Sequence, residues 1–410
     1  MSGLASGGAV AGLGAGTAVF IYYIYRGYYA TSHISRAFID PFTNKPISSV
    51  IPSWWAPPLG SQAYVMRSFL HPDWLIPVAI STLQFCFIWI AQEMALAMLC
   101  SRLFIEAEEL PFPLANVNAQ LITTLVERDE TRMRYFTLSA IFGAIYGLIV
   151  YGIPTLSAGV ANTLIQLIPI PWIDLTSGYW GIEQIMPGAM LGIATDPITI
   201  AMGIILPFHV IAYMALGSIA CWTIGNWLAL TTFKEIFPLW VKEWHKGMGL
   251  NLVWQRSYLR IWAIPQIGFV LALTTFTLAA GYKTFSRIFK MPASKKSSIL
   301  GFPSYKSLIL LYVLASISSI AVFQALIPRF PIWISALTVP LGLMIAIANT
   351  RARGETGQAL TLPYVWQALV LASGYPAADA FFFSPTIGGT TAAIWVEGVK
   401  TAVSTLSLIH

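Results

Sequence analysis

The chain has 410 residues, of which 57% are hydrophobic and 10% charged, with a formal net charge of +6 and a mean hydropathy of +0.70. Soluble domains carry about 25% charged residues, so an ordinary soluble fold is excluded. The basic residues flank apolar runs rather than forming one patch, which argues against a nucleic-acid partner and for orientation in a lipid membrane.

Residues 4–25 read as a first membrane helix. Gly8, Gly12 and Gly16 recur four residues apart, the spacing that lets membrane helices approach closely. The basic start and cleavage site of a secretory signal are missing. Residues 26–73 read as an interfacial loop, with Trp54 and Trp55 at headgroup level. The 74–104 segment is the next apolar stretch, and Glu93 lies inside it. A charge at the bilayer centre costs about 2.5–3.5 kcal/mol on insertion scales. Glu93 is therefore either a proton carrier or substrate contact, or a hydrogen-bonded structural carboxyl.

Glu106, Glu108 and Glu109 precede Pro111 and Pro113. Asn116 and Gln120 then share a helical face, to bond a substrate backbone or to join helices. Further apolar segments are expected at 135–155, 187–206, 208–232, 259–282, 305–328, 331–350, 359–374 and 385–402, about eight to ten membrane segments in all. Arg128, Arg132 and Arg134 place 127–134 inside, and the stretch 154–184, free of Lys and Arg, lies outside. Asp174 and Glu183 in that stretch are solvated loop charges or attractors for cationic solutes. The 234–260 loop is basic and returns inside. The basic 283–306 loop then conflicts with a single crossing at 259–282.

The stretch from Ile185 to Leu230 has forty-six residues without Lys, Arg or Glu, and is interrupted by Pro187, Gly188, Pro197 and Pro207. Breaks near Pro187 and Gly188, and again near Asp196 and Pro197 or Pro207, are expected. Interrupted apolar helices survive at membrane depth only around protein or a water-filled cavity, and such breaks build binding sites in transporters. Asp196 before Pro197 suits a helix cap, or an ion site at a half-helix end. His209 is a packing residue or a proton shuttle. Arg351, Arg353, Gly354, Glu355 and Gly357 read as a tight polar turn, either an interfacial loop or a hinge beside a substrate path. Asp379 and Glu397 are further intramembrane carboxyls. Cys86, Cys100 and Cys221 lie in apolar segments, and no Cys–x–x–Cys or Cys/His cluster occurs, so no metal site or cofactor is expected.

Four stretches carry a resemblance. Leu110, Pro111, Phe112 and Pro113 open the first. Trp172, Ile173 and Asp174, followed by Met186, Pro187, Gly188, Ala189, Gly192, Asp196 and Pro207, form the second. Tyr258, Leu259 and Arg260 open an apolar helix, and Ala346 to Gln358 with Leu362 and Pro363 form the last. In this order they resemble the oligopeptide transporter superfamily, which includes the yellow stripe-like metal-chelate transporters. The glycine that usually follows the Leu110–Pro113 pattern is absent. The resemblance implies an all-α polytopic protein of the cell membrane that moves small peptides or metal chelates with protons. It also favours the hinge reading of 351–357. Family members are longer at both ends, so the chain is expected to be one membrane domain with a first bundle over 74–232, basic loops over 233–306 and an incomplete second bundle over 305–402. Its 359–402 side would then be open to lipid, to a second copy or to a partner subunit.

No phosphate-binding loop of the ATPase kind is present. No H-E-x-x-H or G-x-S-x-G pattern is present either, so no catalytic residues are expected. A secondary transporter is the first reading. A truncated or non-transporting membrane subunit is the alternative, and a membrane-embedded enzyme comes last.

Overall fold

The computed structural model describes residues 23–160, 162–280, 282, 301–360 and 364–409. The expected 4–25 helix lies outside these up to residue 22, as do the basic stretch 283–300 and the Leu362, Pro363 pair. Six helices among the described residues are long and apolar enough to cross a membrane: Pro72–Ala107, Glu130–Val160, Phe208–Thr231, Leu250–Thr277, Tyr305–Leu326 and Ile332–Thr356. At 1.5 Å per residue, about 20 residues cross a 30 Å hydrocarbon core. In lipid a chain must satisfy its own backbone groups, and the helix does so within one segment. The chain is an all-α polytopic membrane protein. The longer list of apolar segments shortens because apolar composition alone does not make a helix. Among the described residues, 187–206 contain the nine-residue Pro197–Ile205 helix, and 359–374 the nine-residue Val365–Ser373.

The chain divides into two compact units. The first comprises Met1–Ala115 and Phe269–Ser407, and the second Asn116–Gly268 with Leu408–His410.

In the first unit, Pro72–Ala107 lies along Tyr305–Leu326, and Ile332–Thr356 packs on both. The core joins Leu96, Leu99 and Phe104 to Leu308, Tyr312, Ala346 and Val396. Two glutamines stitch the helix pair: Gln84 Nε2 donates to Ser319 Oγ at 2.9 Å, and Gln92 Nε2 to Ser316 Oγ at 2.8 Å. Small hydroxyl residues permit close approach and supply the bond. An aromatic core of Phe323, Phe330, Trp366 and Phe383 closes the other end. Trp54 and Trp55 are half-buried there, with ring centroids 5.8 Å from Phe383 and 5.2 Å from Phe382 respectively. On the 359–402 side no residue from 392 to 405 is exposed, whereas Tyr364 and Leu371 are 46% and 69% exposed.

The polar turn expected over 351–357 is helix. Ile332–Thr356 continues through Arg351 and Gly354, and Gly357 stops it in the left-handed region at φ 75°. The Arg351–Glu355 pair, spaced i and i+4 at 2.8 Å, supports the last turn.

The second unit contains the broken region. Gly188 turns the chain at φ +84°. Gly192–Ala194 then pairs antiparallel with Trp172–Asp174. Asp196 caps Pro197–Ile205 by accepting from Thr199 N–H at 3.0 Å. A second break at Leu206 and Pro207 precedes Phe208–Ser218. The acidic loop residues are not free charges. Asp174 accepts from Leu250 N–H at 2.6 Å and so caps the helix that starts there. Glu183, 6% exposed, accepts from Gly247 N–H at 3.0 Å and Gly178 N–H at 3.3 Å. Lys246 Nζ donates to Gln184 at 2.7 Å. These bonds correct the charge-based placement of 154–184 and 234–260 on opposite sides. The two stretches meet, because backbone amides near 247–250 are what the two carboxylates satisfy. The helix also begins at Leu250, earlier than expected, so Arg256 and Arg260 sit on it rather than in a loop.

Candidate functional site

Within the first unit, residues 383–391 run without helical hydrogen bonds between the short Asp379–Phe382 helix and Ala392–Ile409. Non-helical backbone at membrane depth must find partners in protein. Thr386 N–H donates to Ser319 Oγ at 2.7 Å, and the Ser384 carbonyl accepts from Gln84 at 3.1 Å. Leu360 N–H donates to the Asn349 side chain at 2.6 Å, which steadies the chain after Gly357. The segment lies close on Ile332–Thr356. A Cβ on Gly389, whose φ is +90°, would stand 2.5 Å from Ala346 N and from the Gly342 carbonyl oxygen. Only glycine combines that conformation with that approach.

Glu93, on the Pro72–Ala107 helix, meets the end of the segment. It is 1% exposed. Its carboxylate accepts from Thr390 N–H at 3.1 Å, Thr390 Oγ1 at 3.3 Å and Thr391 N–H at 3.2 Å. These amides stand immediately before Ala392–Ile409, a helix with no acidic residue in its own first turn. A carboxylate supplied by another helix thus satisfies orphan amides and opposes the positive end of the helix dipole. The group that stabilises this N-terminus is also one that can bind a proton.

Thr390 also lines a cavity of about 370 Å³. Phe85 and Trp89 line it from the Pro72–Ala107 helix, Trp366 and Gln367 from Val365–Ser373, Phe381 and Phe382 from Asp379–Phe382, and Phe383, Ser384, Thr386 and Ile387 from the broken segment. Phe85 lies in a wide-turn stretch, Thr82–Ile88, where the extra residue per turn shifts side chains around the helix, a deviation frequent at functional sites.

The opposite end of Ile332–Thr356 carries charges. Arg351 pairs with Glu108 at 3.3 Å and with Glu355, and Arg353 pairs with Glu397. Burial pushes the Glu108 carboxyl up, opposed by Arg351. Phe112 N–H donates to the Gly354 carbonyl at 2.9 Å. A Cβ on Gly354 would meet Leu110 at 2.8 Å and Phe112 at 3.2 Å. The Leu110–Pro113 stretch is therefore docked on the Arg351–Gly357 stretch, which explains the small residue there. Gly354 does not bend the chain, being helical and buried.

A family profile described as OPT oligopeptide transporter protein matches residues 63–406, a span that takes in both docked stretches and the broken segment. The chain belongs to the oligopeptide transporter family. That family is one of transporters and not of enzymes. Searches of curated proteins and of solved structures found no match.

In this family member, Glu93, one of the six path residues expected from sequence, bonds Thr390 of the cavity-lining segment. Asn116 and Gln120 are exposed on Pro113–Glu127. Asp196 caps its helix and accepts from Tyr151 Oη at 2.6 Å. His209 is exposed at the start of Phe208–Ser218, and Glu355 is tied to Arg351. Pro111 and Pro113 flank the docked Phe112. Pro187, Gly188, Pro197 and Pro207 mark the turn, the helix start and the second break. Sequence reasoning missed the aromatic wall, because a run such as Phe381, Phe382 and Phe383 is indistinguishable from lipid-facing helix. The polar, Gly-rich run from Ser384 to Thr391 was the available signal.

Proposed function

We propose that the chain is a proton-coupled secondary transporter of oligopeptides or metal-chelate complexes, resident in the cell membrane, with Glu93 as its proton-binding group. The observation that carries this reading is the contact between the Glu93 carboxylate and Thr390, a residue that also lines the cavity. When Glu93 is ionised it accepts from the Thr390 and Thr391 amides and holds the start of the last helix. When it is protonated, one oxygen becomes a hydroxyl and the favourable charge at the helix N-terminus is lost. The Thr390 wall is then free to move. Occupancy of the cavity and protonation of Glu93 bias one element, which is the requirement for coupling. The oligopeptide cargo is supported by the family match, and the chelate alternative by the resemblance of the four sequence stretches.

The test is uptake in proteoliposomes with and without an imposed pH gradient. Glu93→Gln keeps the shape and removes titration. We expect gradient-driven accumulation to fall at least ten-fold while substrate exchange at equal pH persists. Undiminished gradient-driven uptake by the variant would remove Glu93 from the coupling step.

A further inference from the structure

The wall of the cavity is aromatic and uncharged. At about 370 Å³ it falls within the size range of small-molecule sites, roughly 300–1,000 Å³. Phe85 and Trp89 line it together with Trp366 and Phe382, and its amide and hydroxyl groups come from residues such as Gln367 and Ser384. Among the described residues, no Asp, Glu, Lys, Arg or His lines it. A free carboxylate or ammonium placed against this wall would gain no counter-charge from the residues that line it, and what hydration it lost would go uncompensated. Aromatic rings reward a different guest. Ring pairs in offset or edge-on contact gain about 0.5–1.5 kcal/mol beyond their buried area, and an amide side chain such as Gln367 can both donate to and accept from a peptide unit.

We propose that this cavity recognises an aromatic or bulky apolar side chain of a peptide substrate, with the peptide's charged termini held outside it. Peptides are taken as the ligand class from the transport reading, so the assay is one of binding without a gradient.

The experiment measures equilibrium binding of triphenylalanine, trialanine and triglutamate to the purified full chain in detergent by titration calorimetry. Triphenylalanine is expected to bind at least ten-fold more tightly than trialanine, and triglutamate most weakly. Phe85 is 38% exposed, so trimming it does not open the core. Phe85→Ala and Trp89→Ala should each reduce triphenylalanine binding about ten-fold and so shrink its preference over trialanine. Phe85→Leu, which keeps bulk, should lose less, and thermal unfolding of each variant reports its fold. Equal affinities for the three peptides would overturn the proposal. So would a preference that survives both truncations, or a cavity held by a co-purified acyl chain that no peptide displaces. Intact gradient-driven uptake with no selective binding overturns this proposal alone. Selective binding without any gradient-driven uptake overturns the transport reading alone.

Discussion

At Gly389 two requirements meet. The residue has φ +90°, and a Cβ there would press on Ala346 N and the Gly342 oxygen at 2.5 Å. Gly247 has nearly the same φ, +91°, but its Cβ would meet nothing within 4 Å. The pair separates backbone strain from steric exclusion. Placing a non-glycine residue in a left-handed conformation costs about 1–2 kcal/mol, and that is the whole expected cost of Gly247→Ala. Gly389→Ala adds a clash between two backbones that neither can relieve by rotating a side chain. We expect Gly247→Ala to lower the unfolding temperature by a few degrees. Gly389→Ala should fail to give a monodisperse folded peak on size exclusion. Equal behaviour of the two variants would mean that the broken segment does not lie against Ile332–Thr356 as described. Glu93 illustrates how far such a residue is legible in sequence. A carboxyl in an apolar run announces itself, but Thr390 and Thr391 are almost three hundred positions away and nothing local points to them.

Among the elements, the broken region 186–208 was the most legible. Proline lacks an amide and clashes with the preceding turn, so Pro187, Pro197 and Pro207 act through covalent geometry that needs no tertiary partner. The hairpin of Trp172–Asp174 with Gly192–Ala194 was not legible, because each strand has three residues and its pairing depends on loop closure. The helix starting at Leu250 shows the same dependence, since its cap is Asp174 from far upstream. Nearby, Glu243 makes a two-pronged ion pair with Arg260, with Nε at 3.0 Å, and Arg256 stands 3.6 Å away. Hydrogen bonding from Arg260 holds its carboxyl below the usual carboxylate range. A depressed carboxyl stabilises the fold above its unfolded value, near 4.3, and that stabilisation is lost as pH falls through the folded value. Both side chains are partly exposed, so the contribution is at most about 1 kcal/mol. Glu243→Gln should therefore lower thermal stability slightly at pH 7 and flatten its decline between pH 5 and 3. An unchanged acid limb in the variant would assign that decline to other carboxyls.

For the whole molecule, exposure identifies the solvent. Side chains such as Phe142, Leu216 and Tyr213 are 62–74% exposed, and the apolar window of Phe208–Thr231 is 0% buried. Water would not tolerate so continuous an apolar surface, whereas lipid covers it without cost. Membranes carrying the chain should retain it through alkaline carbonate and release it only to detergent. Recovery of the folded chain in the carbonate supernatant would contradict this. The sequence by itself determined the class of protein: composition, the length of the apolar runs, the prolines and four ordered stretches were enough for a polytopic helical transporter, because lipid imposes helices through local chemistry. Only the tertiary structure decided what the special residues do. It made Glu93 the cap of a helix nearly three hundred residues downstream, made Gly354 a seat for Phe112, and assembled Phe85, Trp89, Trp366 and Phe382 into one wall. The physical reason is common to all three. In a chain this apolar the hydrophobic pattern selects the membrane but not the neighbour, and the neighbours are chosen by close approach and by satisfaction of the few buried polar groups.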